Sequence, residues 1–145
     1  MKNDLVPELN RLLADHQVLY QKLRGYHWNV RGPLFFGLHA KFEELYDEAA
    51  EKVDALAERI LAVGGRPVST LADQIALARL KEDGETTNAE DMVRNVVDDL
   101  GRLNQALRSA AGKARAGDPA TANLLEGFAD GQEKTAWMLR AFLSN

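Results

Sequence analysis

Apolar residues recur along the chain in four long stretches, each at alternating steps of four and three. In the first, Leu5, Leu9, Leu12, His16, Leu19, Leu23, Tyr26 and Val30 form one row, and Val6, Leu13, Tyr20 and His27 form a second row beside it. Together they make a single wide inward stripe on a helix. Gly32-Pro33 interrupts the pattern, and Pro33 suits the first position of a second helix. That helix carries Phe35, Leu38, Phe42, Leu45, Ala49, Val53, Leu56, Ile60 and Val63, and Gly64-Gly65 with Pro67 ends it. A third long helix starts at Asn88 and carries Met92, Val93, Val96, Val97, Leu100, Leu103 and Leu107. After a loop near Ala116-Gly117, Asp118 caps a fourth, with Pro119 at its first position. Its apolar side is Leu124, Leu125, Phe128, Trp137, Met138, Leu139, Phe142 and Leu143, with Trp137 and the methionines read as packing residues.

The stretch from Gly64 to Thr87 is too long for a turn. Within it Thr70 and Asp73 mark a helix start, and Leu71, Ile75, Leu77 and Leu80 make a short helix. Two helical hairpins joined by one long crossover define an all-α, ferritin-like four-helix bundle with a short helix in that crossover. The 145 residues are expected to form one domain over 1–145, enough to bury roughly 68–70% of the surface of the unfolded chain. No strand pattern, internal repeat or low-complexity segment interrupts this reading.

Composition narrows the chemistry. The chain has no cysteine, which excludes disulfides, thiolate metal sites and cysteine nucleophiles and agrees with a reducing cytosol. Asp4, Glu8, Arg11, Asp15 and His16 within the first twenty residues argue against a signal peptide or membrane anchor, and no apolar run reaches about 18 residues. A cytoplasmic location follows as the expectation. The net charge of −4 disfavours a coat for nucleic acid and favours attraction of cations.

Three histidines are present, His16, His27 and His39. His16 lies on the apolar stripe and reads as a core residue. The second helix carries His39 and Glu43, four apart, and Asp54 and Glu58, also four apart. At about 100° per residue these four positions fall within an arc of roughly 100°. They cannot share one metal within one chain, because 15 residues of helix span about 22 Å and metal–ligand bonds are roughly 2.0–2.5 Å. Residues 27 and 39 are equidistant from Pro33, so His27 should lie level with His39 across the first hairpin. If two copies of the second helix pack antiparallel about a two-fold axis near Glu48 and Ala49, one register places 39 opposite 58 and 43 opposite 54. Each centre would then hold His27, His39 and Glu43 of one chain with Asp54 and Glu58 of the other. Isologous two-fold contacts are the commonest oligomer symmetry, and the small Ala49 and Ala50 permit close approach. Two imidazoles and three carboxylates suit iron, manganese or zinc. A di-iron centre within one subunit would require Glu-x-x-His, which the chain lacks.

The runs His27-Trp28-Asn29-Val30-x-Gly32, Phe36-x-x-His39, Asp54-x-x-Ala57-Glu58-Arg59-Ile60 and Gln132-Glu133-Lys134-x-x-Trp137-Met138-Leu139 resemble the Dps family of mini-ferritins over essentially the whole chain. The resemblance implies a homo-oligomeric hollow dodecamer that oxidises Fe²⁺ to Fe³⁺ at its two-fold interfaces. It further implies hydrogen peroxide, or oxygen, as the oxidant, ferric mineral stored inside, and protection against oxidative damage. It assigns His27, His39, Asp54 and Glu58 to the ferroxidase centre. Glu43 stands where the family has Asp, so its part in binding is open. Trp28 matches the family's aromatic residue beside the centre, which takes up oxidising equivalents. Asp118, Glu126 and Asp130 fall near the family's acidic three-fold pores, although acids favoured by the helix dipole explain them equally well.

Against this stand blander readings. Asp54 and Glu58 beside Lys52 and Arg59 are also what helical ion pairs on a solvated face look like, each worth only roughly 0.2–0.5 kcal/mol. The chief rival function is DNA compaction, with association to the nucleoid, which some Dps proteins achieve with lysine-rich tails. Here Met1-Lys2-Asn3-Asp4-Leu5 offers one lysine before an acid and the C-terminus is not basic, so DNA binding is expected to be weak or absent. Arg102, Arg108, Lys113 and Arg115 are expected to answer the dipole at the end of the third long helix.

Overall fold

A computed structural model describes residues 2–144. A 3-10 turn, Lys2–Leu5, leads into α1 (Val6–Asn29), followed by α2 (Phe35–Ala62), α3 (Leu71–Leu77), α4 (Ala89–Ala114) and α5 (Pro119–Leu143). α1 packs on α2 and α4 packs on α5, while α1 also meets α4 and α3. The result is an all-α four-helix bundle with α3 lying on α1 inside the crossover, and no strand occurs among the described residues.

Local chemistry explains most of the helix ends. Asn88 and Asp118 accept hydrogen bonds from the backbone N–H of Asp91 and Thr121, as N-caps should. Thr70 does the same for Asp73 at the start of α3. α2 ends in a Schellman turn: Gly65 N–H donates to Ile60 O, Gly64 N–H donates to Leu61 O, and Gly64 takes φ 90°. The other end of α2 departs from the sequence expectation. Pro33 lies in the turn, not at the first helical position, because Gly32 (φ 102°) reverses the chain and its carbonyl accepts from Phe35 N–H. The helix therefore begins at Phe35.

The core falls into two clusters. One centres on Leu19, Leu23, Phe42, Met92, Val96 and Leu103, the other on Leu9, Leu12, Leu56, Ile60, Leu107 and Leu125. In chain position His16, Lys52, Asn104 and Gln132 fall between them, one on each long helix. His16 is fully buried, and its Nδ1 lies 2.7 Å from Leu12 O. A carbonyl only accepts, so Nδ1 carries the proton and Nε2 is left as an acceptor. Burial holds the His16 pKa below its ordinary value.

The crossover is tied down by polar anchors. Asp15, 1% exposed, accepts from the backbone N–H of Arg79 (2.5 Å) and Leu80 (3.1 Å) and pairs with the Arg79 guanidinium (2.8 Å). Asp83 accepts from the Tyr26 hydroxyl (2.5 Å) and from Asn95 (3.3 Å). The short helix packs the opposite way to its apolar pattern: Gln74 is its buried residue, donating to Val68 O, while Leu71 and Ile75 face outward. Trp137, Met138 and Phe142 of α5 are likewise exposed on this subunit, not packed in its core as the periodicity suggests. A buried ion pair, Lys22 to Asp99 at 2.7 Å, joins α1 to α4.

Two outcomes follow. Asp15→Ala strands buried N–H donors and should lower the unfolding free energy by roughly 2–4 kcal/mol in urea titrations. His16 has the opposite dependence to a salt-bridged histidine. Below about pH 6.5 the unfolded chain takes up a proton that the folded state resists. Its contribution thus makes stability fall as pH drops from there toward the lower folded pKa, and has no effect above. His16→Leu should flatten the urea midpoint across that acidic window.

Candidate metal centre

The tight turn at Gly32 folds the end of α1 against the start of α2 and brings His27 to His39. Their rings stack with centroids 3.8 Å apart and planes 13° from parallel. His27 Nδ1 lies 2.7 Å from His39 O, and His39 Nδ1 lies 2.7 Å from His27 O. Each carbonyl can only accept, so each Nδ1 must donate. In the neutral rings both Nε2 atoms therefore keep their lone pairs, the state that binds a metal ion. Phe35 stacks on the far face of His39 (4.8 Å, 21°), and Tyr46 meets His27 edge-on (5.3 Å, 80°).

Glu43 joins this pair. Its Oε1 is 3.8 Å from His27 Nε2, with the carboxylate half-exposed. Asp54 and Glu58 do not join it; they stand exposed further along α2. Among the described residues no three His, Cys, Asp or Glu side chains gather closely enough to hold a metal ion within one chain. Among the described residues, the helical ion pairs that would explain Asp54 and Glu58 blandly are not formed. Arg59 turns instead to the start of α5, where Nε donates to Thr121 Oγ1 (2.7 Å) and Nη2 to Asp118 Oδ1 (2.9 Å). Trp28 follows His27 in the chain but points elsewhere; it is 56% exposed, with the Arg24 guanidinium 4.9 Å from its ring centroid.

The residues compared above with a pore are all engaged. Asp118 is buried, and although burial raises its pKa, hydrogen bonds from Thr121 and Arg59 hold it below the usual carboxylate value. Glu126 pairs with Arg115 at 2.9 Å, and Asp130 pairs with Arg108 at 3.0 Å. The three arginines of the basic cluster also answer carboxylates, while Lys113 lies in the last turn of α4, where the dipole reading places it. Arg108 bonds Asp130 and Glu133, Arg115 bonds Asn123 and Glu126, and Arg102 faces Asp99 at 3.6 Å. Arg108 and Arg115 thus fasten α4 to α5.

The fold and the histidine–carboxylate helices define a ferritin-like protein, and comparison with known proteins agrees. The ferritin-like domain family profile matches residues 7–145. The chain is 49% identical over 136 residues to the DNA protection during starvation protein of Brevibacillus brevis, covering 93% of this chain and 91% of that protein. It is similar to the crystal structure of Dps from Staphylococcus aureus, with a TM-score of 0.95, 43% identity, and 98% and 96% of the two chains covered. It also matches Dps from Vibrio cholerae, described as a member of the ferritin-like diiron-carboxylate superfamily, with a TM-score of 0.96, 39% identity, and 99% and 91% covered. The chain belongs to the Dps family of ferritin-like proteins.

The sequence pattern missed Tyr46 and Phe35, which meet the histidine rings. Their spacing from His39, Tyr46 seven residues after it and Phe35 four before, was the available signal. The reciprocal bonds fix an observable tautomer. Nitrogen NMR of the metal-free protein at pH 8 should show the Nδ1–H form for His27 and His39, and zinc should shift their Nε2 resonances. An Nε2–H form would contradict the geometry.

Proposed function

We propose that this chain is the subunit of a hollow shell, a dodecamer in the manner of its family, that oxidises Fe²⁺ at centres shared between two subunits and stores the ferric product. His27, His39 and Glu43 of one subunit and Asp54 and Glu58 of its neighbour are the ligands. The reaction is two Fe²⁺, one hydrogen peroxide and two protons giving two Fe³⁺ and two water molecules. Carboxylates favour Fe³⁺ through charge, and the same oxygen and nitrogen donors also accept zinc or manganese. Iron and peroxide are the substrates, and the cytoplasm is the compartment; no helix among the described residues is long and apolar enough to cross a membrane.

One observation carries this reading. The large apolar residues left exposed on α2 are Phe36, 86% exposed, and Leu61, 59% exposed. The antiparallel register that sets 39 opposite 58 and 43 opposite 54 also sets 36 opposite 61. The register inferred from the ligands alone thus covers both ends of α2 with apolar contacts from a second copy. Exposed apolar residues rimmed by polar ones are what an oligomer interface leaves on an isolated subunit.

A relative's name refers to protecting DNA, and consumption of Fe²⁺ and peroxide would serve that end without contact, because it removes the reagents of hydroxyl radical formation. Arg102 and Arg108 of α4 and Arg115 just after it are paired with carboxylates of α4 and α5.

The decisive test mixes two variants. Neither His27→Gly/His39→Gly nor Asp54→Asn/Glu58→Gln should show fast peroxide-driven oxidation in anaerobic stopped flow. After dissociation and reassembly of equal amounts, about a quarter of the centres regain every ligand if pairing is random, and the fast phase should return to that extent. Failure to complement would place the site within one chain. Leu61→Glu should weaken the two-fold contact and release smaller species in sedimentation velocity. In a gel-shift assay at about 50 mM salt, where phosphate contacts are strong, the shell should leave duplex DNA unretarded.

A further inference from the structure

A cavity of about 20 Å³ adjoins the His16 ring inside the bundle. Apolar side chains of α1, α2 and α4 make part of its wall, and His16, Glu48, Lys52, Gln132 and Thr135 make the rest. His16 is fully buried and Gln132 is 2% exposed. Because His16 Nδ1 donates to Leu12 O, its Nε2 presents a lone pair, and Gln132 Oε1 lies 3.5 Å from it. Two acceptors thus face each other. Their separation is too long for a good direct hydrogen bond in either orientation of the amide. Gln132 Nε2 has no hydrogen-bond partner among the described residues, so turning the amide over only exchanges which of its atoms goes without one.

The opposite wall supplies donors. Lys52 has three N–H donors and no acceptor, and the Thr135 hydroxyl can donate as well. The Lys52 ammonium lies 6.0 Å from the Phe128 ring centroid, and the same ring is 6.4 Å from that of His16, so one phenyl ring adjoins both groups.

We propose that this cavity binds one water molecule, which donates to His16 Nε2 and Gln132 Oε1 and accepts from Lys52 and Thr135. Size and chemistry agree on the ligand. A buried water needs at least about 10–15 Å³ and two to four polar partners, and the cavity offers both while being too small for a phosphate or sulfate ion. Geometry agrees too. At about 2.8 Å from each acceptor, the two acceptors subtend roughly 77°, so each bond bends by only about 14° from water's own angle. A bridging water satisfies both acceptors, which contact between them cannot do.

Charge explains why water, and not a metal ion, belongs there. One imidazole nitrogen and one amide oxygen share the cavity with an ammonium group, and a divalent cation among them would meet like charge at short range. Glu48 is the single carboxylate in the wall. His16 therefore has the tautomer of His27 and His39 without their chemistry: a free lone pair on a buried histidine becomes a metal ligand only where carboxylates gather around it.

The test is diffraction from crystals of the assembled protein, with a second set soaked in zinc. A solvent peak should stand about 2.8 Å from both His16 Nε2 and Gln132, and neutron data after exchange into D₂O should show its two deuterons directed at His16 Nε2 and Gln132 Oε1. The zinc-soaked crystals should give no anomalous peak beside His16. A direct His16–Gln132 contact of about 3.2 Å or less with no solvent peak between them would overturn the proposal, and so would zinc at this position. Oxygen-17 relaxation dispersion gives a count in solution. The wild type should hold one more long-lived water per chain than His16→Leu/Gln132→Leu, and one more than Gln132→Leu alone if the double variant does not fold. Equal counts would show that the cavity binds no water of this kind.

Discussion

The two reciprocal hydrogen bonds between His27 and His39 are the constraint around which the rest of the site is arranged. Each imidazole uses its Nδ1 proton to satisfy the other residue's backbone carbonyl, at 2.7 Å in both directions. The carbonyls concerned lie at the end of α1 and within the first turns of α2. The end of α1 has no C-terminal partners for its last carbonyls within the helix, so the bond from His39 to His27 O is a cap as well as a positioning contact. One pair of contacts closes the hairpin, fixes the ring orientations and leaves both Nε2 atoms free. Buried polar groups left unpaired cost about 1–3 kcal/mol each, which makes the arrangement hard to exchange for another without loss.

The same hairpin geometry is why one chain does not gather all five proposed ligands. A straight α2 can bring only one end of itself to the histidines. Glu43, one turn on from His39, reaches within 3.8 Å of His27. Asp54 and Glu58 project from the same stripe about four turns further away. Arg59, next to Glu58 in the chain, is held by Asp118 and Thr121 at the opening of α5.

Charge pairing also decides what the rest of the surface does not offer. The acids of α5 and the arginines of α4 neutralise one another across the second hairpin. Exposed pairs of this kind add little stability individually, roughly 0.2–1 kcal/mol, yet they neutralise the arginines clustered near the end of α4. The crossover is held with more force. Asp15 and Asp83 are anchors inside the subunit, and their acceptors are filled by backbone and side-chain donors of the crossover and of Tyr26.

The order of helices, their caps at Asn88 and Asp118, the glycine stop after α2 and the level meeting of His27 with His39 were legible because they depend on period, on backbone chemistry and on distance along a rigid rod. These are local quantities that a linear sequence contains. Tertiary structure alone decided where competing partners went. Arg59, Arg108 and Arg115 each have several carboxylates within reach in sequence terms, and only the packing of α2, α4 and α5 selects among them. It alone turned Leu71 and Ile75 of the crossover, and Trp137 and Phe142 of α5, toward the outside: apolar periodicity marks a face to be covered without saying whether the cover comes from the same chain or another. It also put Tyr46, and not the adjacent Trp28, against His27, because neighbours on a helix diverge while residues on facing helices converge.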